Sequence, residues 1–388
     1  MIEDIYVDNN ATTHMLEPIK EEIVRILNTT YGNPSSPHSH SHFSRKLIDD
    51  ARAEVADFLG SSDNQLIFTS CGSEANSIVL QSMLRGAPID GDCVITSPLE
   101  HSSVKNNVEF LKKNGVNVVV LPAGRDGIID LDYLKKSLKD NDICLVSINW
   151  AHNETGVIQP MKEIIELSHA EGALVHADAA QYVGRADLNV SRMDIDFLSF
   201  TGHKLHAPKG IGGLYFKNSR FLSPLIIGGE QEFGLRPGTE NILGIGALKK
   251  AIELRKHNFS SYIEKLKTLR DTFEANLLDQ VPDVVVNGHI SKRTPNTSNL
   301  MFRGVDGRAL VARLDMEGVI CSQTSACTSQ IPEPSPSLRA MGLSEEEAFS
   351  SIRFSFGVDN EFWQINEIVK KVKSVVSSLR TFSSEIFI

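Results

Sequence analysis

The stretch QLIFTSCGSEANSIVLQSMLRG, residues 65–86, joins an apolar run, a turn of small residues and an amphipathic segment. The run QLIFTS has the length and composition of a buried strand. The apolar residues of ANSIVLQSMLRG recur at the three- and four-residue spacing of a helix. Because a strand followed by a helix is the repeating unit of α/β proteins, the stretch predicts a sheet covered by helices.

The same alternation continues along the chain and extends this prediction. We expect six more apolar runs to be strands buried on both faces, at 92–97, 117–122, 143–149, 173–178, 196–200 and 211–216. Helical segments such as MKEIIELSHAEG separate the earlier runs. The pattern predicts an α/β fold with a mostly parallel, seven-stranded sheet flanked by helices. Ligands should then bind beyond the carboxyl ends of the strands.

A second, smaller unit is expected after the sheet. A long polar helical stretch at 245–278 leads into strand candidates at 296–302, 318–322 and 352–357 and a final helix at 365–380. We therefore expect a large domain at 15–258 and a smaller α+β domain formed by 1–14 and 259–388.

Composition favours small-molecule chemistry in a reducing compartment. A net charge of −10 and a pI near 5.7 argue against a broad nucleic-acid or membrane surface. No leader segment and no apolar run of about 20 residues is present, so we expect a cytoplasmic protein. The five cysteines, at 71, 93, 144, 321 and 327, form no CxxC pair, which favours free thiols.

Three predicted strand ends carry residues suited to a cofactor. Gly72 and Ser73 let backbone N–H groups approach an anion at the start of a helix that we place near Glu74. Asp178 ends another strand, where a buried carboxylate needs a partner. Lys204 ends a third, where a partly desolvated amine is nucleophilic.

Each segment alone has an ordinary structural explanation: a capped turn, a helix-capping aspartate and a solvated loop lysine. Together they match the needs of pyridoxal phosphate, which requires a lysine for an imine, a carboxylate for the pyridinium nitrogen and a phosphate cup.

A series of short motifs, spread over nearly the whole chain, resembles the motifs of a known family and occurs in the same order. They are YVDNNATT, YGNPSSPHS, FTSCGSEAN, EHSSV, HNETGVIQP, HADAAQ, SFTGHK, LRPGTENI and TSACTS, followed by SSIRFSFG. This series closely resembles the NifS/IscS-like cysteine desulfurases, a class V branch of the fold type I pyridoxal phosphate enzymes.

The resemblance implies a role for each matching residue toward the cofactor. Lys204 would bond to the cofactor aldehyde and move protons, Asp178 would pair with the pyridine nitrogen, and His101 would stack on the ring. Gln181 and Asn153 would bind the phenolic oxygen. The phosphate ligands would be Gly72, Ser73, Thr201 and His203, with Thr239 reaching in from a second subunit of a homodimer.

The resemblance also implies how the substrate, L-cysteine, is handled. Arg353 would bind its carboxylate with help from Asn33, since the planar arginine fork meets both oxygens. The Cys327 thiolate would attack the substrate sulfur, giving alanine and a persulfide on Cys327 that passes to a sulfur-acceptor protein. A thiol needs a nearby base for this, and His101 is our candidate proton acceptor. We expect a stiff Cys327 loop, because Thr324 takes a usual glycine position.

Alternatives remain open at this point. Sulfur could go to iron–sulfur assembly, tRNA thiolation or DNA phosphorothioation, the last through partner proteins. A selenocysteine lyase or another class V lyase is the enzymatic rival, and a sulfur-relay scaffold without turnover is the non-enzymatic one. Cys93, Cys144 and Cys321 are interpreted as buried thiols. The histidines of HSHSH, residues 38–42, would share a face if extended, but we favour a solvated loop over a metal site.

Overall fold

The structure is a computed structural model that describes residues 4–323 and 333–385. Within that part of the chain, the strands are β1 Ile5–Tyr6, β2 Leu66–Thr69, β3 Cys93–Thr96, β4 Asn117–Val120, β5 Ile143–Asn149, β6 Leu174–Asp178, β7 Phe197–Thr201, β8 Gly212–Phe216, β9 Val284–Val286, β10 Thr297–Phe302, β11 Val319–Ile320 and β12 Ser351–Ser355. The α-helices are α1 Glu17–Thr29, α2 Ser39–Leu59, α3 Gly72–Ser82, α4 Ser102–Lys113, α5 Leu131–Asp140, α6 Met161–Ala170, α7 Val190–Met193, α8 Ile242–His257, α9 Phe259–Gln280, α10 Gly307–Met316, α11 Pro336–Ala340, α12 Glu345–Phe349 and α13 Phe362–Glu385.

The seven predicted apolar runs form one sheet in the order β2-β8-β7-β6-β5-β3-β4. Only β8 in this sheet runs antiparallel to its neighbours, so the predicted mostly parallel sheet is confirmed. One detail of the prediction is wrong, because β4 is not buried on both faces. It is an edge strand that pairs only with β3, and Val120 is 45% exposed.

Two of the hydrophobic cores lie on either side of the change from α8 to α9, while another covers the opposite face of the large sheet. The first core holds the inner residues of the large sheet together with Ile245 and Leu248 of α8. The second holds Leu266 and Phe273 of α9, residues of β10, β12 and α13, and Ile5 from the beginning of the chain. This distribution supports the predicted division into a large and a small domain.

The break between α8 and α9 corrects the prediction of one continuous helical stretch at 245–278. Asn258 interrupts the helix with a φ of −113° and a ψ of 17°. The interruption lets α8 pack on the first core while α9 turns to pack on the second.

The small domain contains an antiparallel sheet in the order β12-β10-β9 and the parallel pair β1-β11. The predicted strands and the final helix of this region are confirmed. The backbone next to β1 continues across to β12, since the amide of Asn9 donates to the carbonyl of Ser355 at 3.1 Å. The first residues of the chain therefore pack in the second core and pair with strands from its last third.

The histidines of HSHSH are exposed, as expected, but the segment is not the loop that we favoured from the sequence. Helix α2 begins at Ser39, and the imidazole of His38 caps it by accepting from the amide of Ser41. Among the described residues there is no cluster of His, Cys, Asp and Glu able to hold a metal ion. In the same part of the chain, no helix combines the length and hydrophobicity that a bilayer span requires.

Candidate active site

A cavity of about 280 Å³ lies beyond the carboxyl ends of the parallel strands. Asn149, Asp178 and Thr201 line it from the ends of three neighbouring strands, β5, β6 and β7. The cavity brings together most of the residues predicted for the site, namely Gly72, Ser73, His101, Asn153, Asp178, Gln181, Thr201, His203, Lys204 and Arg353.

Lys204 enters this cavity from a short 3₁₀ turn that follows β7 directly. Its Nζ donates to the carbonyl oxygen of Ala11 at 2.6 Å and also to that of Asn10. Gly202 allows the tight turn, because a Cβ there would lie 2.8 Å from the side chain of Ile211. The amine is thus held at a defined position by the backbone of the chain's first residues.

Asp178 presents a buried carboxylate to the same cavity. One oxygen accepts from Asn76 Nδ2 at 2.8 Å and the other from the amide of Ala180 at 3.0 Å. No cation forms an ion pair with Asp178 within the described residues. Because a buried carboxylate is stable only when its charge is compensated, this site fits a protonated pyridine nitrogen.

The turn between β2 and α3 is suited to an anion. Helix α3 begins at Gly72, and the side chain of Cys71 does not cap it, which leaves N–H groups of the first turn to face the cavity. Thr201 Oγ1 is buried at this cavity with no hydrogen-bond partner in the described structure. These donors fit the phosphate of the predicted cofactor.

His101 caps α4 and has a defined tautomer. Its Nδ1 accepts from the amide of Ser103 at 3.1 Å, so the neutral ring carries its proton on Nε2. Burial lowers the pKa of His101, which keeps the ring neutral near pH 7. His101 therefore has an N–H to donate from Nε2, and its role as proton acceptor stays a prediction.

Arg353 is almost completely buried at the end of the cavity formed by the small domain. Its Nη2 pairs with Asp8 at 2.6 Å, and Nη1 donates to the carbonyl of Asn153 at 3.1 Å. Nε has no hydrogen-bond partner in the described structure. The sequence predicted this arginine but gave no indication of its partner Asp8.

Two predicted residues do not reach the cavity. Asn33 is exposed, and its side chain accepts from the amide of Ser35 at 2.9 Å. Thr239 is also exposed and outside the cavity of its own chain. Cys327 and the predicted stiffness of its loop lie outside the described residues.

Sequence reasoning missed several residues that line the cavity: Asn10, Ala11, Asn76, Ser103 and Asn149. Asn10 and Ala11 belong to the motif YVDNNATT, which carried the resemblance without a role for either. Their importance depends on contacts between residues more than 170 positions apart, such as Asn10 with Gln181. Asn76 lies one turn into α3 and follows the phosphate turn, which was the available signal.

The other described cysteines are as expected. Cys93, Cys144 and Cys321 are buried, and burial raises the pKa of the Cys144 thiol to about 12. Burial also raises the pKa of Cys321. These thiols are therefore poor nucleophiles. Cys71, in contrast, is partly exposed and lines the cavity.

The fold and this arrangement of lysine, aspartate and uncapped helix agree with a match to a family model. The model of the class-V aminotransferases covers residues 5–368, and the chain belongs to that family.

Individual relatives narrow the class further. A cysteine desulfurase of Nostoc sp. is 41% identical over 98% of this chain and 94% of its own length. Among solved structures, a NifS-like protein superposes with a TM-score of 0.90 at 31% identity, covering 97% of this chain and 100% of that one. A structure of SspA in complex with cysteine has a TM-score of 0.79 at 31% identity, covering 90% and 98%. Within the family, the chain is thus one of the cysteine desulfurases.

Proposed function

We propose that this chain binds pyridoxal phosphate in the cavity and removes sulfur from L-cysteine. The observation that carries the proposal is the meeting of the Lys204 amine, the uncompensated Asp178 carboxylate and the uncapped start of α3 in one cavity. The similar SspA, which is described in complex with cysteine, supports cysteine as the substrate.

Binding of the cofactor would use charges and donors that the chain already presents. Gly72, Ser73, Thr201 and His203 would hold the phosphate. Asp178 would keep the ring nitrogen protonated, because within the described residues its carboxylate pairs with no cation. His101 would stack on the ring, and Gln181 and Asn153 would face the phenolic oxygen.

When bound, pyridoxal phosphate supplies an electron sink that stabilises negative charge on the substrate α-carbon. Lys204 Nζ would hold the cofactor aldehyde until the substrate amine displaces it, and would then move protons at the α-carbon. The carbonyls of Asn10 and Ala11 orient this amine. Arg353 would bind the substrate carboxylate, since Nε is the guanidinium donor without a partner in the described structure.

Sulfur would leave through Cys327. Its thiolate attacks the substrate sulfur, the bond between that sulfur and the substrate β-carbon breaks, and its electron pair stays with the carbon fragment. Protonation of that fragment gives L-alanine, while Cys327 carries the persulfide. The persulfide then passes to an acceptor protein for iron–sulfur assembly, tRNA thiolation or DNA phosphorothioation.

We also propose that the chain works as a homodimer. Large apolar side chains are exposed on α1, on the first turns of α2 and near residues 226–233, namely Val24, Leu27, Phe43, Ile226, Ile227 and Phe233. Ile227 is 91% exposed, and apolar surface of this kind marks interaction sites. Thr239 is exposed and absent from its own cavity, which supports its predicted contact with the site of a second subunit.

The direct test is to load the purified protein with pyridoxal phosphate, add cysteine alone, and measure alanine release and persulfide on each cysteine by mass spectrometry. We expect a band near ~420 nm, as imine-bound cofactor gives, and persulfide on Cys327. Lys204→Ala should lose the band, whereas Lys209→Ala, on an exposed loop lysine close by, should keep it.

Two outcomes would favour the alternatives. A protein that stays colourless and releases no alanine would support a relay scaffold without turnover. A selenocysteine lyase would be supported by two results together. Cys327→Ala would stop sulfur release from cysteine but keep selenium release from selenocysteine, and the unaltered protein would turn over selenocysteine much faster than cysteine.

A further inference from the structure

Asn10 is a hydrogen-bonding centre next to the amine of Lys204. Its carbonyl oxygen accepts from Lys204 Nζ and from Gln181 Nε2, the latter at 3.0 Å. Its side-chain Nδ2 donates to the carbonyl of Asn153 at 3.0 Å and to Thr297 Oγ1 at 2.9 Å. One asparagine therefore connects the lysine to two residues of the predicted cofactor site and to the small domain.

Arg185 holds this centre from behind the cavity wall. Its Nη1 donates to Asn10 Oδ1 at 2.8 Å and to Gln181 Oε1, and its Nη2 donates to the carbonyl of Asn9 at 3.3 Å. All of these acceptors are neutral amide oxygens. Within the described part of the chain, no carboxylate forms an ion pair with Arg185, although its side chain is only 2% exposed.

A buried cation without a counter-ion is unusual, because its desolvation is not offset by an opposite charge. Burial is the main reason that the pKa of Arg185 is lowered to about 10; Tyr262 opposes this shift, and Arg255 and Arg353 add to it. The guanidinium therefore stays charged at neutral pH. The charge of Arg185 also acts on His203, the residue next to Lys204. Burial is the main reason that the pKa of His203 is lowered to about 4, and Arg185 is one of the cations that add to this shift.

We propose that Arg185 is a positioning residue of this site, which orients Asn10 and Gln181 toward Lys204 and opposes protonation of the nitrogen at Lys204. The inference rests on the proposed function, because that nitrogen is the point at which the cofactor would be attached. A like charge in a low-dielectric region disfavours the protonated form of a neighbouring group. The unprotonated amine, which is the nucleophilic form, is thereby favoured.

The other titratable groups around this nitrogen come from several elements. Cys71, His101, Asp178, His203 and Arg353 line the cavity, and Arg353 is neutralised by Asp8. Asp178 acts in the opposite direction to Arg185, since its negative charge favours the protonated form. The variants below leave all of these groups unchanged.

The test is a pH titration of the visible absorbance of the protein loaded with pyridoxal phosphate. Arg185→Met removes the positive charge, whereas Arg185→Lys keeps the charge but loses the planar guanidinium group. We expect Arg185→Met to raise the midpoint of the titration by about one pH unit or more, and Arg185→Lys to shift it by much less. A residue that only supports the fold would lower the thermal stability without moving the midpoint.

A second variant covers the case in which Arg185→Met does not fold. Asn10→Asp is nearly isosteric and gives Arg185 the carboxylate that it lacks, so it should also raise the midpoint. Unchanged midpoints in the folded variants, or an equal shift in Arg185→Lys, would overturn the inference. If the unaltered protein takes up no pyridoxal phosphate, the proposed function fails instead, and the two failures are distinguishable.

Discussion

Arg353 combines contacts within the protein with a proposed contact to the substrate. Its guanidinium bonds Asp8 through one nitrogen and the Asn153 carbonyl through another. A planar fork can keep both contacts while a further N–H binds a substrate carboxylate, whereas an ammonium group is a single point charge. The identity of the cation at this position therefore matters as much as its charge.

We accordingly predict that Arg353→Lys weakens cysteine binding. The KM for cysteine should rise by about tenfold or more, which corresponds to about 1.4 kcal/mol or more, with a smaller change in kcat. Arg308→Lys, at an exposed arginine paired with Asp306, should leave both parameters unchanged. Steady-state kinetics of the loaded protein would measure this, and an unchanged KM in Arg353→Lys would contradict the proposed carboxylate site.

At the scale of elements, α11 contacts the large domain through the buried side chain of Ser335 and through apolar packing. Ser335 Oγ accepts from the amide of Leu338 at 3.1 Å, which caps α11, and donates to Glu154 at 2.6 Å. Leu338 and Met341 pack with Leu99, which immediately precedes Glu100 and His101 at the end of the loop leading to α4. The position of α11 relative to the cavity therefore depends on this serine.

We predict that Ser335→Ala destabilises the protein by about 2 kcal/mol, because it removes a helix cap and a buried hydrogen bond to a carboxylate. The matched control is Ser344→Ala, which removes the exposed cap of α12 and should cost about 1 kcal/mol or less. Urea unfolding of both variants would compare the two. Equal losses would show that the Ser335–Glu154 contact contributes nothing beyond capping.

The elements of the large domain could be predicted because both faces of the sheet are covered, which makes strands appear as uninterrupted apolar runs. The run of β4 is just as apolar, and only its position at the sheet edge exposes it. The break at Asn258 carries no proline or glycine, and it follows from the direction in which α9 packs. The helical start within HSHSH was missed because His38, rather than a typical capping residue, caps α2.

The parts of the candidate site in which one residue carries the chemistry could be predicted from the sequence. The parts that depend on contacts between distant segments could not. Lys204, Asp178 and Arg353 stand in motifs at strand ends or within a strand. Asp8, Asn10 and Arg185 act through partners far away in the chain, and nothing in their local sequence indicates those partners.

At the scale of the whole molecule, buried histidines make the stability depend on pH. Burial lowers the pKa of His152 to about 3 and of His176 to about 4, and both rings are inaccessible to solvent. The unfolded chain binds protons at these rings below about pH 6.5, whereas the folded chain does not until the pH is far lower. Stability is therefore complete above pH 6.5 and is lost as the pH falls toward 4.

We predict that the free energy of unfolding falls by about 2 kcal/mol for each of these two histidines between pH 7 and pH 5. His176→Asn should be less stable at pH 7, because His176 bonds Ser147 on β5 and Ser199 on β7. It should also lose about half of the pH dependence that the pair contributes. Urea unfolding at pH 7, 6 and 5 measures both effects, and an unchanged slope would contradict the assignment.

The exposed apolar surface leads to a prediction about assembly. Ile227→Asp should convert the proposed dimer to monomer, because it places a charge in the proposed interface. Met316→Asp changes a side chain of similar exposure at the end of α10 and should leave the dimer intact. Sedimentation velocity would distinguish the two. If the Ile227→Asp variant remains dimeric, residue 227 does not belong to the interface.

The pairing of the chain's first residues with strands from its last third has a consequence during synthesis on the ribosome. All seven strands of the large sheet have been translated by residue 216, but β1 cannot pair until β11 emerges, and Asn9 must wait for Ser355. The carbonyls that hold Lys204 thus reach their final position only when almost the entire polypeptide exists. A nascent chain cut short before that point would carry every strand of its sheet yet leave the Lys204 amine without its backbone cradle.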